Sequence, residues 1–361
     1  MEWKDNWEET QEHLVDWWNR RGVALGSWGG QNADAGKPVH DPGIQAPVPG
    51  KPHEEFLDPD LRAELLHYSL ACMRYPLDCL PIAAPDIGPG TLGLFLGCEP
   101  EFGATTVWYK PCIDPDEPEG HPEIRFNPET FWWKYTEQTL RRSVEMGRGK
   151  YLVGCPDLIE NIDTLAAMRD SQLLLFDMIE RPEWVEQKVA EINTAWIEAY
   201  QRIYDITHEP DRSSAFGAFK IWGPGKVAKL QCDASAMISP EMFERFVVPA
   251  ITEQCRYLDH SVYHLDGTQA MQHLDLLLGI EELDAIEWTP QAGIEGGANP
   301  RWFPLYRRII EGGKSVQILG GKPDEIRELL NAVGTQGLYI LTGMGNDDVV
   351  AELKTVRRAF L

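Results

Sequence analysis

The 361-residue sequence predicts an α/β fold, a single (β/α)8 TIM barrel with long loops over its C-terminal face. Three observations predict it. Short β-rich runs are each followed by a stretch with helical periodicity, the alternation that builds parallel strands joined by crossover helices. Eight such runs occur, at 22–28, 79–86, 151–155, 227–233, 261–266, 285–288, 315–320 and 337–342, and the last four recur at intervals of roughly 25 residues, the length of one compact strand and helix unit. No GxGxxG follows the first run and no GxxxxGK[ST] occurs, so the dinucleotide and P-loop alternatives lack their fingerprints.

The flanking elements follow from local chemistry. Residues 1–21 are acidic and dotted with Trp, and read as a helical extension ahead of the barrel. Ser239-Pro240 and Asn299-Pro300 set a capping side chain before a first-turn proline, and Asn346 precedes Asp347 and Asp348, which suit the positive end of a helix. The remaining length falls into insertions at 31–53, 101–128 and 205–223. The first two follow strands and so rise over the C-terminal face, where barrel enzymes carry their chemistry. The second contains a hairpin pattern, the third is rich in Gly and aromatics, and all three read as lids or dimer contacts within one domain spanning 1–361.

Composition narrows the partners. With 33 Lys and Arg against 57 Asp and Glu, the net charge of −24 opposes binding to a phosphate backbone, and no basic run relieves it. Seven cysteines without a CxxC pair read as reduced thiols, excluding a Cys-only zinc knuckle. No stretch approaches the ~20 apolar residues of a membrane helix, and the N-terminus lacks a signal pattern, so a cytoplasmic protein acting on a small molecule is expected.

Candidate site residues are those at strand ends. His264 and Asp266 in VYHLDGT lie two apart on one strand and face the same side, so they can converge on one proton or one divalent metal such as zinc. Asp233 and Glu287 from neighbouring strands extend that set. Asp86 ends an apolar strand, where burial raises a carboxyl pKa unless positive charge compensates; it is read as a proton carrier or a counter-ion. Asp157 joins it from the next strand. Trp28, Trp222 and Trp288 are placed beside the mouth, able to stack on a flat or cationic ligand. Cys155, Cys232, His260 and His273 read as structural.

Five blocks in order, APDIGPGTLGLFLGCEPEF, YLVGCPDL, MISPEMFERFVVPAI, YHLDGTQAMQHLDLLLGIEELDAIEW and ILTGMGND, resemble the uroporphyrinogen decarboxylase superfamily, which holds the heme-pathway decarboxylase and the corrinoid-linked methyltransferases. The resemblance spans about 80–358 and implies a single barrel. It places Asp86 on the decarboxylase's substrate-binding aspartate. The decarboxylase's arginine segment corresponds here to VALGSWGG, its tyrosine falls near Ile162 and Asp163, and its late histidine falls on Met344. An octacarboxylate substrate needs those cations. In the thiol-methylating relatives zinc sits on a His-x-Cys and a later Cys; here these are His264, Asp266 and Met344, so no thiolate site is formed.

The resemblance therefore implies an enzyme, first a methyltransferase moving a methyl group between a corrinoid supplied by a partner protein and a small molecule. Decarboxylation of a small acid is the second expectation, and a non-catalytic barrel that binds a tetrapyrrole or corrinoid is the third. Catalysis is expected from Asp86, His264 and Asp266, with Trp28, Asp157, Trp222, Asp233, Glu287, Trp288 and Met344 lining the substrate. A homodimer is the expected assembly; the chain is expected to carry no built-in cofactor, with a divalent metal such as zinc as the alternative that His264 and Asp266 allow and the corrinoid supplied by a partner protein.

Overall fold

A computed structural model describes every residue except 33–35, 52, 104–105 and 361. Among the described residues the strands are β1 (Val23–Gly26), β2 (Ile82–Ala83), β3 (Glu99–Phe102), β4 (Val107–Lys110), β5 (Leu152–Val153), β6 (Ser214–Phe216), β7 (Ile221–Gly223), β8 (Val227–Gln231), β9 (His260–Asp266), β10 (Ala285–Thr289), β11 (Ser315–Leu319) and β12 (Leu338–Leu341). Each of the eight expected runs overlaps one of them, with β9 beginning one residue early and β10 ending one residue late.

The expected closed eight-strand ladder is not what forms. Six strands make one parallel sheet in the order β1-β12-β11-β10-β9-β8, while β2 and β5 pair only with each other. The missing wall is supplied by the third insertion. There β6 pairs antiparallel with β7 and meets the end of β5 through a parallel bridge between Cys155 and Phe216. The 205–223 segment is thus part of the barrel wall rather than a lid, and its three-residue strands are too short to show a period of two. The hairpin expected in the second insertion is present as β3 and β4, beginning two residues early at Glu99.

The capping signals hold. Ser239 accepts from the Met242 amide ahead of the helix Pro240–Phe246, Asn299 from the Arg301 amide, and Asn346 from the Val349 amide ahead of Asp347–Arg358. The N-terminal extension is the helix Trp7–Trp18. It covers the end of the barrel where strands begin: Trp17 donates its indole N–H to the Val316 carbonyl at 3.1 Å, and Trp18 stacks on His260, the first residue of β9. Burying these indoles closes that end, leaving the opposite end for chemistry.

Register places polar side chains in one inward layer. Gln231 is paired with His264, His264 with Glu287, Glu287 with Gln317, and Gln317 with Tyr339. Side chains of paired residues in a parallel sheet share a face, so these five point together into the barrel.

Close approach of β6 to the strand ends depends on Gly217. A Cβ at this position would lie 2.2 Å from the Ala84 Cβ, two residues before Asp86. Gly217→Ala should destabilise the fold by about 1–3 kcal/mol in urea unfolding, whereas Gly149→Ala, which meets no atom within 4 Å but has a positive φ of 75°, should cost only about 1 kcal/mol.

Candidate active site

His264 and Asp266 point the same way from β9, and Asp233 follows β8 beside them. One ligand atom from each of Asp233, His264 and Asp266 lies within 4.8 Å of the others. His264 is oriented from behind: its Nδ1 lies 2.5 Å from Glu287 Oε2, and the other Glu287 oxygen accepts from Thr289 Oγ1 at 2.8 Å. Burial resists charge on His264, yet the Glu287 carboxylate and its hydrogen bond prevail and raise the imidazole pKa. Burial likewise raises Glu287, against the pull of His264. The hydrogen bond to Glu287 fixes the orientation of the imidazole beside the two aspartates.

Asp233 is held by its own backbone. Its amide and that of Ala234 donate to the Asp163 carboxylate at 2.7 and 3.1 Å. Burial, then the charge of Asp233, pushes Asp163 up to about 6. Burial also raises Asp233, while His264 and Lys229 oppose the rise.

The second half of the mouth is built on β2 and β5. Asp86 Oδ1 accepts the Asp157 amide at 2.6 Å, and the Asp157 carboxylate meets Lys229 Nζ at 2.7 Å. Lys229 is fully buried on β8 and hydrogen-bonds Gln231 of the inward layer, which sits opposite His264. Burial pushes Asp86 up to about 6; the hydrogen bond from the Asp157 amide, Lys220 and Arg62 restrain it, while the Asp157 charge adds to the rise.

Those cations were invisible to the motif reading. Arg62 donates to the Asp86 carbonyl at 2.9 Å, Lys220 comes from the third insertion, and Lys229 sits mid-strand. Lys220 and Arg62 restrain Asp86 without reversing the effect of burial, so its carboxyl is raised, as a buried aspartate at the end of an apolar strand was expected to be. A basic residue inside the apolar run KVAKLQ was the one available signal for Lys229. Glu160 was also missed; it is buried, accepts the Gln231 amide, and has its pKa raised well above normal by burial.

Of the three tryptophans expected at the mouth, Trp28 stands there. It is 49% exposed and meets Phe219 edge-on at 5.0 Å, and Phe219 lies 4.7 Å from the His264 ring. Trp288 is corrected: it is fully buried against Trp302, because its neighbour Glu287 takes the inward direction and alternation turns Trp288 out toward the helices. Trp222 is corrected too. It lies at the closed end, against Trp7, its carbonyl bound by Trp18. Met344 is buried at 2% exposure just beyond β12 and presents no open surface to a substrate. Cys155 and Cys232 are buried thiols whose pKa values burial raises well above normal, unsuited to attack. His273 stacks on Phe243 and bonds the Ser235 carbonyl, and is structural.

A cavity of about 340 Å³ adjoins the mouth, lined by Trp108, Tyr109, Ile159, Asp163, Asp233 and Met237. A larger one, about 950 Å³, lies away from these groups, between the N-terminal segment and the last helix. No helix is long and apolar enough to cross a membrane among the described residues.

No family model matches the chain, and no curated protein matches it in sequence. Among solved structures, a methyltransferase from Methanosarcina mazei superposes with a TM-score of 0.64 over 97% of this chain and 98% of that one, at 13% identity. The two share a fold over nearly their whole lengths.

Because its carboxyl is raised, Asp86 binds a proton more readily in the native state than in the unfolded chain. Its contribution to stability is therefore fullest at low pH and falls as pH climbs from an ordinary carboxyl value of about 4 to about 6. Asp86→Asn should be more stable than the parent at pH 7.5, by about 1–2 kcal/mol, with the gain gone near pH 4; urea unfolding at the two pH values checks it.

Proposed function

We propose that this protein is a methyltransferase that moves a methyl group between a small molecule and a corrinoid presented by a partner protein, with a divalent metal held by Asp233, His264 and Asp266. The observation that carries the reading is the convergence of three ligand atoms at the barrel mouth around a histidine already oriented by Glu287. The donor set fits a divalent ion: one imidazole nitrogen, two carboxylates and a carboxylate behind the histidine, the arrangement in which a second residue fixes ring orientation. One nitrogen and two oxygens make a harder site than thiolates do, suited to oxygen- or nitrogen-bearing substrates. Such an ion supplies Lewis acidity to the heteroatom that gives up or receives the methyl group.

The chain's own residues supply the rest. Glu287 orients the His264 ring. Asp163 fixes the Asp233 backbone. Trp28 and Phe219 form an apolar wall beside the histidine and keep water from it. Asp86, with a carboxyl near neutrality, carries a proton to or from the substrate. Shared fold with a methyltransferase supports this reading over the others. Decarboxylation of a small acid is the second reading and draws on that same Asp86, poised to protonate a carbanion.

Two measurements test the proposal. Methylcobalamin incubated with the protein, zinc and candidate acceptors should lose its methyl spectrum; Asp86→Asn should slow that loss by ~10²-fold, the scale of a lost acid or base. Zinc affinity by competition with a chromogenic chelator should fall about 10–100-fold in Glu287→Gln and further in His264→Ala. Equal zinc affinity in all three proteins would exclude the metal site.

A further inference from the structure

The hairpin of β3 and β4 stands between two cysteines. Glu99 opens β3 and pairs with Lys110 at the end of β4, so Cys98 and Cys112 lie at the open base of the ladder, one on each arm. Their sulfurs are 3.8 Å apart, in contact but not bonded, since a disulfide joins sulfurs at about 2.05 Å. Glycines border the pair. A Cβ on Gly93 would meet the Cys98 sulfur at 3.7 Å, and one on Gly97 would meet the Cys112 sulfur at 3.9 Å, so the missing side chains leave both sulfurs room to turn toward each other. The two arms are anchored to different neighbours: the Cys98 amide donates to the Gly93 carbonyl at 3.0 Å, and the Cys112 amide to the Met168 carbonyl at 2.9 Å.

The two thiols differ as an attacking and a resolving thiol must. Of the seven cysteines, Cys112 alone is not buried. Its hydrogen bond with Cys98 lowers its pKa against the opposing effect of burial, while that same bond, together with burial, raises Cys98. Thiolate character therefore gathers on the more exposed sulfur, with a protonated sulfur behind it. Burial raises the thiols of Cys79, Cys155, Cys232 and Cys255, and among the described residues no other two cysteines bond each other. The hairpin also belongs to the mouth. Trp108 and Tyr109 of β4 line the cavity of about 340 Å³ that reaches Asp163 and Asp233, and the Tyr109 hydroxyl donates to the Ile87 carbonyl at 2.7 Å, one residue beyond Asp86.

We propose that Cys98 and Cys112 form a redox-modification site, a dithiol that a low-molecular-weight disulfide closes to an intramolecular bond, and that this closure stiffens the hairpin wall of the mouth. The Cys112 thiolate attacks one sulfur of the oxidant, forming a mixed disulfide and expelling a thiolate that takes up a proton. Cys98 then attacks the Cys112 sulfur and gives its proton to the second leaving thiolate as the intramolecular bond forms. Two protein thiols lose two electrons in all, and one small disulfide is reduced to two thiols. The new bond ties together the two anchored arms at the base of the ladder, which removes open conformations of the hairpin between them. The inference concerns this wall and holds whatever reaction the mouth carries out.

Excess glutathione disulfide added to the intact, reduced protein tests this, with the products read by intact mass and peptide mapping. The parent should lose two hydrogens and carry no glutathione, with the bond mapped to Cys98 and Cys112. Cys98→Ser should stop with one glutathione held on Cys112, and Cys112→Ser should gain neither glutathione nor a bond. In hydrogen exchange, the amides of β3 and β4 should exchange at least ~10-fold more slowly in the oxidised parent than in the reduced one, while those of β9 stay unchanged. A parent that remains reduced, a lasting glutathione adduct on its Cys112, or a bond mapped to any other two cysteines would overturn the site. An adduct on Cys98 in Cys112→Ser would overturn the order of attack, and equal hairpin exchange in the two redox states would overturn the stiffening. Should the serine variants fail to fold, the mapped bond and the exchange rates of the parent decide the proposal without them.

Discussion

The parallel register of β8 to β12 is the constraint on which the rest of the structure depends. Hydrogen bonding between neighbouring strands leaves no choice over which residues share a face, and here it aligns Gln231, His264, Glu287, Gln317 and Tyr339 in one layer. A slip of one residue would turn all of them into the helix layer. From that row come the support behind His264, the contact to Lys229 and the two hydrogen bonds that clamp the turn at Phe219 and Lys220.

Such an interior is expensive, and its cost is met by pairing rather than by exposure. Lys229, Glu160 and Glu287 are buried almost completely, and each has at least one charged or hydrogen-bonding neighbour. Removing one partner would strand the other in a low-dielectric setting, which costs more than the pair contributes. The mouth is therefore preorganised: its dipoles and charges are in position before any ligand arrives.

Much of this was readable in the sequence, and the failures have physical causes. All eight strand positions could be found because β-rich runs and capping residues are local signals. His264, Asp266, Glu287 and Asp233 could be grouped because strand ends converge in a barrel. Trp288 was misplaced although alternation with Glu287 already implied that only one of the two could face inward. Trp222 and Lys220 were lost for a different reason: strands of three residues carry no period, so the segment around them read as loop. Lys229 was passed over although it sits inside the run KVAKLQ, because alternation alone does not show that a strand is buried on both sides. The Gly26 and Asp78 contacts that bring β1 and β12 together with residues before β2 are likewise matters of tertiary packing.

The unequal wall of the barrel has a dynamic consequence. One side, from β1 through β8, is a six-strand ladder whose amides are locked by continuous pairing. The other rests on β2, β5 and β6, two or three residues each, with β2 and β5 joined by a two-residue ladder and β6 meeting the end of β5 through one isolated bridge. Local opening follows the weakest hydrogen-bonded unit, so the side bearing Asp86 and Asp157 breathes first, while the side bearing His264 and Glu287 stays shut. The histidine centre thus has a fixed frame, and the facing carboxylates have the freedom to adjust to what enters.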